Sequence, residues 1–181
     1  FLNSDEFFWS YFLELEHESI SREIEAVIAS ETIPSLAQLS SHMDIIANEN
    51  WLTFLLYGYG IKSEANCKKC PITSSLVEAI PGMQTAMFSI LAAGDELAEH
   101  SGPYNGIMVY HLGIKVPAGA WIKVGGQTAL HKEGRSIVFD DTYPHSVGNR
   151  SNEKRIVLFV QFERPLRWPM NIINRYVLLL M

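Results

Sequence analysis

Apolar residues recur at helical spacing near the start of the chain. In residues 17–28, Ile20, Ile24 and Val27 fall on one face, and glutamates and an arginine occupy the other face. This pattern predicts an amphipathic helix. Residues 1–15 are rich in aromatic side chains and predict a short helix that packs on the body of the protein.

The pattern then changes several times before the middle of the chain. Residues 31–50 are loop-like, and His42 lies among them without other candidate metal ligands. The aromatic and apolar segment 51–61 predicts a strand. Residues 71–80 predict a short helix, because a proline stands at its first turn and a Pro-Gly pair follows it.

From residue 85 onwards, short apolar segments alternate with turns that contain glycine, proline or asparagine. The segments that predict strands are 85–91, 106–116, 120–124, 127–131, 136–139 and 155–162. Closely spaced short strands of this kind are typical of an all-β sandwich or barrel. We therefore expect a mainly β protein with a helical preface on a jelly-roll barrel.

These parts form one predicted domain of 181 residues. Residues 1–84 are the helical and loop preface, residues 85–163 are the jelly-roll core, and residues 164–181 are a helical tail that we expect to cover the barrel. A chain of this length can bury a sizeable core without disulfides or a structural metal.

Composition argues against one class of partner and suggests a compartment. The net charge is −6 and the chain has no dense basic segment, so we expect no nucleic-acid partner. Cys67 and Cys70 form a Cys-x-x-Cys pair, which could be a redox pair or half of a zinc site. Without a second cysteine pair or a thioredoxin-like pattern, we interpret them as ordinary loop thiols in a reducing compartment, and we expect a cytoplasmic protein.

No apolar run of the sequence is long enough to cross a bilayer. The longest one near the C-terminus covers only residues 176–181. Because the chain begins at Phe1 rather than Met, an N-terminal anchor or signal could have been removed. We expect membrane association only in that case.

Three residues at the ends of predicted strands suggest a metal site with an anionic co-substrate. His100 precedes the strand at 106–116, His145 follows the strand at 136–139, and Arg155 begins the last strand. Imidazole is the commonest protein ligand for iron, zinc and copper, and a guanidinium suits a carboxylate. Either histidine alone is more simply a loop residue, but a jelly roll can bring both to the open end of one barrel.

The usual oxygenase metal site has two histidines and one carboxylate, which leaves positions open for co-substrate and oxygen. The acid normally stands two residues after the first histidine, and here that residue is Gly102. Either the site lacks a carboxylate or the acid comes from elsewhere. Asp95, Glu96 and Glu99 are close in sequence, but we interpret them as parts of a solvated loop.

Further motifs surround these residues. In chain order, they are Ala86-Met-Phe-Ser-Ile-Leu91, Gly94, His100-Ser-Gly-Pro-Tyr-Asn, Tyr110-His-Leu-Gly113, Gly134-Arg-Ser-Ile-Val-Phe-Asp-Asp-Thr-Tyr-Pro-His145 and Arg155-Ile-Val-Leu-Phe. Their order and spacing resemble the aspartyl/asparaginyl β-hydroxylase family, over residues 71–167. The resemblance implies a non-haem Fe(II), 2-oxoglutarate-dependent dioxygenase on a double-stranded β-helix, which is a cupin-like barrel.

The resemblance also implies roles for individual residues. His100 and His145 would bind iron. Arg155 would pair with the distal carboxylate of 2-oxoglutarate, Ser89 would hydrogen-bond that carboxylate, and His111 would lie beside the co-substrate. The implied reaction consumes 2-oxoglutarate and O2, releases succinate and CO2, and hydroxylates an unactivated C–H bond. For Ser89 and His111, the simpler alternative is an inward-facing barrel residue with a local hydrogen bond.

The resemblance leaves the substrate open among an aspartyl or asparaginyl residue, an amino acid and an acyl chain. Gly102 is similar to the aspartyl hydroxylase branch, in which two histidines and water hold the iron, whereas lipid A acyl-chain hydroxylases carry an aspartate there. Residues 162–167 and the pair Asn174-Arg175 resemble the lipid branch instead. Members usually have an arginine where this chain has Val109, and its absence argues against a peptidyl-aspartate substrate.

Two other functions are alternatives. A 2-oxoglutarate-dependent halogenase would use the position without a carboxylate, at Gly102, for chloride, although glycine is already normal in the hydroxylase branch. A jelly-roll binding module without catalysis would explain Val109, but the presence of His100, His145 and Arg155 counts against it.

Overall fold

The computed structural model describes residues 1–39 and 50–180. Two antiparallel sheets form the body, and helices from the first half of the chain pack on one of them. His42, and most of the loop predicted around it, lie outside the described residues.

The helices of the described part agree with most of the predicted ones. They are α1 (Phe8–Leu15), α2 (His17–Ser30), α3 (Leu36–Leu39), α4 (Glu64–Lys69), α5 (Pro71–Glu78) and α6 (Met170–Leu180), with a 3-10 turn at Ser4–Glu6. Helices α1, α2, α5 and α6 confirm the predictions. Helices α3 and α4 were not predicted, and α3 lies in a segment expected to be a loop. Both are shorter than two turns, so they produce no apolar periodicity.

The strands build a jelly roll. They are β1 (Trp51–Gly58), β2 (Ile61–Lys62), β3 (Met83–Leu91), β4 (Glu96–His100), β5 (Ile107–Lys115), β6 (Ala120–Val124), β7 (Gln127–Leu130), β8 (Ser136–Phe139), β9 (His145–Asn149) and β10 (Arg155–Glu163). The larger sheet has the order β2-β1-β3-β10-β5-β8, and the smaller sheet has the order β4-β9-β6-β7. Strands distant in sequence thus become neighbours in two packed antiparallel sheets, which confirms the predicted mainly β, jelly-roll fold.

Two strands that carry site residues were not predicted. Strand β4 buries only Leu97, and its glutamates Glu96 and Glu99 are exposed. They were expected in a solvated loop, so their exposure was predicted correctly and their strand was missed. Strand β9 contains Val147 as its one apolar residue. Both segments form strands because they pair with each other and not because of their own apolar pattern.

The larger sheet has an apolar cluster on each face. Its outer face packs on the helices, so that Ile24 of α2 and Leu158 of β10 belong to one cluster. Its inner face packs on the smaller sheet, where Val109, Phe139 and Val147 belong to the second cluster. The candidate site residues of the larger sheet lie on the inner face, because they alternate along their strands with residues of the outer cluster.

Two expectations outside the barrel need correction. Cys67 lies in α4 and not in a loop, whereas Cys70 does lie in the connection between α4 and α5; both are buried and free. The predicted tail helix exists as α6, but its apolar side chains do not cover the barrel. Trp168 is 77% exposed, Tyr176 is 65% exposed, and Asn174 is the one buried residue of α6. Among the described helices, none is long and apolar enough to span a membrane.

A close crossing at Gly113 sets the path of the chain after β7. The carbonyl group of Lys132 lies over Gly113, where a Cβ would be only 2.8 Å from the Lys132 carbonyl carbon. The Gly134 N–H donates to the Gly113 carbonyl oxygen at 2.9 Å, and the Gly113 N–H donates to the Arg135 carbonyl oxygen at 3.1 Å. Glycine is needed at position 113 because the two backbones approach each other directly.

We expect Gly113→Ala to lower the free energy of unfolding by about 1–3 kcal/mol, because the new methyl group has to displace backbone atoms. Chemical denaturation would measure the change. The control Gly58→Ala also adds a methyl group within a strand of the larger sheet, but there the Cβ would meet only a Leu55 methyl carbon at 3.4 Å. Equal stability losses in the two variants would contradict this account of Gly113.

Candidate active site

The two predicted metal ligands lie side by side. His100 ends β4 and His145 begins β9, and the two residues are register partners in the smaller sheet. Their ring centroids are 4.1 Å apart, with the ring planes inclined by 56°. Residues 45 positions apart in the chain are thus brought to one place by strand pairing.

Each of these imidazoles is oriented by a backbone carbonyl. Nδ1 of His100 is 2.7 Å from the Ala98 carbonyl oxygen, and Nδ1 of His145 is 3.0 Å from the Tyr143 carbonyl oxygen. A neutral histidine that donates from Nδ1 keeps the Nε2 lone pair for a metal ion. Burial lowers the pKa of both side chains, which favours this neutral form. The pair therefore fits a divalent transition-metal ion.

A carboxyl group stands beside Gly102, and it comes from Asp141 in the turn between β8 and β9. A Cβ at Gly102 would lie 2.5 Å from Cγ of Asp141, and the Gly102 N–H donates to the Asp141 carbonyl oxygen at 2.7 Å. Burial, followed by the charge of Asp140, raises the pKa of Asp141 to about 6. Oδ1 of Asp141 is buried and has no hydrogen-bond partner among the described residues.

Sequence reasoning missed Asp141, although it belongs to one of the quoted motifs. In the described ranges, no three His, Cys, Asp or Glu side chains come close enough to one another to hold a metal ion. The arrangement is therefore two histidines with a nearby carboxyl group. Of the two alternatives left open by Gly102, the nearby Asp141 fits an acid that comes from elsewhere in the chain.

The other predicted residues lie on three adjacent strands of the larger sheet. Ser89 is in β3, Arg155 begins β10, and His111 is in β5, which pairs with β10. Phe139 connects this group to the histidine pair, because its ring centroid is 5.1 Å from that of His111 and 5.5 Å from that of His145. The five predicted site residues thus surround one part of the barrel interior.

Arg155 is a buried cation that has no counter-charge among the residues that the structure describes. Its side chain is 1% exposed, and its only hydrogen bond in the described structure runs from Nη2 to Ser89 Oγ at 3.2 Å. Nε and Nη1 are sealed from solvent and have no partner among the described residues. Burial lowers the pKa of Arg155 to about 10, so the guanidinium remains charged at neutral pH. A charge buried in this way calls for an anionic ligand.

The Ser89 hydroxyl group is positioned to donate a hydrogen bond to such an anion. Its oxygen accepts hydrogen bonds from Nε1 of Trp51 at 2.9 Å and from Nη2 of Arg155 at 3.2 Å. Because both contacts use the lone pairs, the hydroxyl hydrogen is free to donate to a ligand. Trp51 was not predicted to belong to the site.

Two loops near the histidine pair are held by the tail of the chain. Arg164 forms an ion pair with Asp140 and hydrogen-bonds the Asn105 carbonyl oxygen. The Asn174 side chain accepts a hydrogen bond from the Tyr104 hydroxyl at 2.6 Å and donates to the Gly106 carbonyl oxygen at 2.9 Å. These residues lie in the segments whose sequence resembles the lipid branch. Their contacts position the loop that follows His100.

Comparisons with known proteins show which family this chain belongs to. A family model described as aspartyl/asparaginyl beta-hydroxylase matches residues 14–165. An ornithine lipid ester-linked acyl 2-hydroxylase from Rhizobium tropici is 39% identical over 171 residues, which cover 92% of this chain and 61% of that protein. The human aspartate beta-hydroxylase domain-containing protein 2 is 32% identical over 84% of this chain and 44% of its own length.

Some of these matches cover only part of the other protein. The human aspartyl/asparaginyl beta-hydroxylase is 30% identical over 64% of this chain, but the match covers 16% of that protein. Among solved structures, an RmlC-like cupin protein from Desulfovibrio desulfuricans aligns with a TM-score of 0.41 and 16% identity over 62% of this chain and 82% of that one. The family model covers far more than half of the described sequence. The chain belongs to the aspartyl/asparaginyl β-hydroxylase family.

Proposed function

We propose that this chain is an Fe(II)- and 2-oxoglutarate-dependent hydroxylase. The observation that supports the proposal most strongly is Arg155, a charged guanidinium that is buried with no counter-charge in the described part of the chain and is hydrogen-bonded to Ser89. In the same barrel interior, His100 and His145 form a pair of neutral imidazoles. A site for an anion next to a site for a metal ion is what a dicarboxylate co-substrate requires. The family, which generally uses Fe(II) and 2-oxoglutarate, supports the same activity.

His100 and His145 would hold the iron through Nε2, and their Nδ1 contacts with backbone carbonyls would fix the direction of both rings. When bound, Fe(II) supplies the oxygen chemistry that the side chains of a protein lack. Two protein ligands leave the remaining positions open for co-substrate, oxygen and water. The Asp141 carboxyl group beside Gly102 would accept a hydrogen bond from a water molecule in that space.

Arg155 would bind the distal carboxylate of 2-oxoglutarate as a two-pronged donor, and Ser89 would add a hydrogen bond from its hydroxyl. Nη1, which has no partner among the described residues, and the second hydrogen of Nη2 would provide the two parallel donors. The surrounding apolar residues exclude water, which strengthens this charge pairing. His111 would lie beside the co-substrate on the neighbouring strand.

An ester-linked acyl chain of a polar lipid is the substrate that we propose. The Rhizobium tropici relative is named for this substrate class. Val109, where an arginine usually stands, belongs to the inner apolar cluster and is 1% exposed, so it offers no charge to a peptide carboxylate. Helix α6 exposes Ile172, Tyr176 and other apolar side chains, and Trp168 is exposed just before the helix begins. The helix is anchored to the loop that follows His100. Such an apolar surface suits a lipid substrate.

The structure favours hydroxylation over halogenation. A halide at the position without a carboxylate would lie near Gly102, where the carboxyl group of Asp141 already stands. When ionised, that group would repel chloride. Product masses in the presence of chloride would separate the two reactions.

Arg155→Met should remove co-substrate binding without destabilising the protein. The variant keeps an apolar stem and loses an uncompensated buried charge, so we expect the free energy of unfolding to rise by about 1 kcal/mol or more. Addition of 2-oxoglutarate should raise the melting temperature of the wild type and leave that of the variant unchanged. The control Arg150→Met removes an exposed arginine, whose side chain is 72% accessible, and should keep the ligand-dependent shift. Stabilisation of Arg155→Met by 2-oxoglutarate would contradict the assignment.

The wild type should form succinate from 2-oxoglutarate in air with added Fe(II), even slowly and without substrate. His145→Ala should reduce the rate by more than about tenfold, since even residues that merely orient metal ligands contribute 10–100-fold. His17→Gln, a change at the first residue of α2, is the matched histidine control and should retain activity. Wild-type protein that neither forms succinate nor binds 2-oxoglutarate would rule out the oxygenase and favour a binding module.

With an ornithine lipid in mixed micelles, Fe(II), O2 and 2-oxoglutarate, mass spectrometry should detect one added oxygen atom on the ester-linked acyl chain. An aspartate-containing peptide of equal concentration should remain unmodified, because Val109 supplies no cation for its carboxylate. His145→Ala provides the background of non-enzymatic oxidation. Modification of the peptide and not of the lipid would reverse the substrate assignment while keeping the chemistry.

A further inference from the structure

A second histidine, His131, reaches the interior of the barrel beside His111. It follows β7, whose side chains are largely exposed, yet its own side chain is only 5% exposed. The backbone N–H of His131 donates to the Ala120 carbonyl oxygen at 3.0 Å. The backbone of the next residue, Lys132, crosses directly over Gly113. These two backbone contacts direct the imidazole inwards.

The two buried imidazoles share one hydrogen bond. His131 Nε2 lies 3.2 Å from His111 Nδ1, and the ring planes are inclined by 24°. Burial lowers the pKa of both residues well below the ordinary value, and the charge of Arg155 lowers both further. Both rings are therefore neutral. A neutral imidazole has one N–H and one acceptor nitrogen. In the shared hydrogen bond, one ring therefore has to donate and the other has to accept.

Either His111 donates to His131 or His131 donates to His111, and the two ring nitrogens outside this hydrogen bond decide between these cases. If His111 donated, Nδ1 of His131 would carry an N–H, and this nitrogen is sealed and without a partner among the described residues. If His131 donates, the sealed nitrogen carries only a lone pair, which the positive charge of Arg155 favours. His111 then carries its N–H at Nε2, the ring nitrogen that is not used in the contact with His131.

We propose that His131 is a positioning residue, which holds His111 in the tautomer with hydrogen on Nε2 so that His111 can donate a hydrogen bond to a carboxylate of 2-oxoglutarate. This inference rests on the proposed function. The arrangement gives the co-substrate a neutral donor next to the guanidinium of Arg155 and the hydroxyl of Ser89. Orientation of one histidine by a second group on its other nitrogen is a general device in metal and catalytic sites.

The test compares His131→Gln with His131→Met. The glutamine amide nitrogen can occupy the place of His131 Nε2 and donate to His111, whereas methionine has a similar size and shape but no donor. In protein loaded with Mn(II), calorimetric titration should show 2-oxoglutarate affinity lowered about tenfold or more by methionine and largely retained with glutamine. Thermal melting of the variants without ligand measures any effect of either substitution on folding.

A second measurement reports the tautomer directly. In metal-free protein labelled with 15N-histidine, long-range proton–nitrogen spectra should show hydrogen on Nε2 of His111 in the wild type and in His131→Gln. In His131→Met, the signal should shift towards a mixture of the two tautomers. A purely structural role for His131 would change stability without changing the tautomer.

The possible results separate this inference from the proposed function. Hydrogen on Nδ1 of His111 in the wild type, or equal 2-oxoglutarate affinity in the glutamine and methionine variants, would overturn the role of His131. Failure of the wild type to bind 2-oxoglutarate would overturn the proposed function, whatever the spectra show. Loss of affinity in the methionine variant together with the tautomer change would support both.

Discussion

The buried guanidinium of Arg155 is the constraint on which the organisation of the site depends. Removing a charge from water costs several kcal/mol unless other charges or hydrogen bonds compensate. Here Ser89 supplies one contact, and two guanidinium nitrogens have none in the described structure. The apolar clusters on both faces of the larger sheet provide the stability that this local cost requires. An anion that enters the barrel therefore finds a donor already oriented and already stripped of water.

Under the proposed function, the charges of the interior would complement a metal ion and a dicarboxylate together. Arg155 lies on the larger sheet, whereas the carboxyl group of Asp141 lies next to Gly102, on the side of the histidine pair. Both groups are buried with unpartnered atoms, and no ion pair joins them in the described structure. A divalent cation near His100 and His145 and an anion at Arg155 would compensate both groups at once. This reciprocity explains why two costly buried groups can persist in one barrel.

Much of the fold was predictable from the sequence, because most strands bury one apolar face and most helices show apolar periodicity. Strands β4 and β9 were not predictable, since Val147 is the one apolar residue of β9 and Leu97 is the one buried residue of β4. His100, His145 and Arg155 could be selected because they stand at strand ends. Asp141 and His131 could not, because their importance arises from contacts with Gly102 and His111, which only the folded chain brings near.

The departures from prediction share one physical origin. The pattern of apolar residues in a segment predicts which of its sides is buried. It does not predict which distant part of the backbone will lie against the segment. The Lys132 carbonyl above Gly113 turns His131 inwards at the end of an exposed strand, and the Asn174 amide fixes the loop after His100 while leaving its own helix exposed. In both cases one polar contact between distant segments decides the geometry near the site.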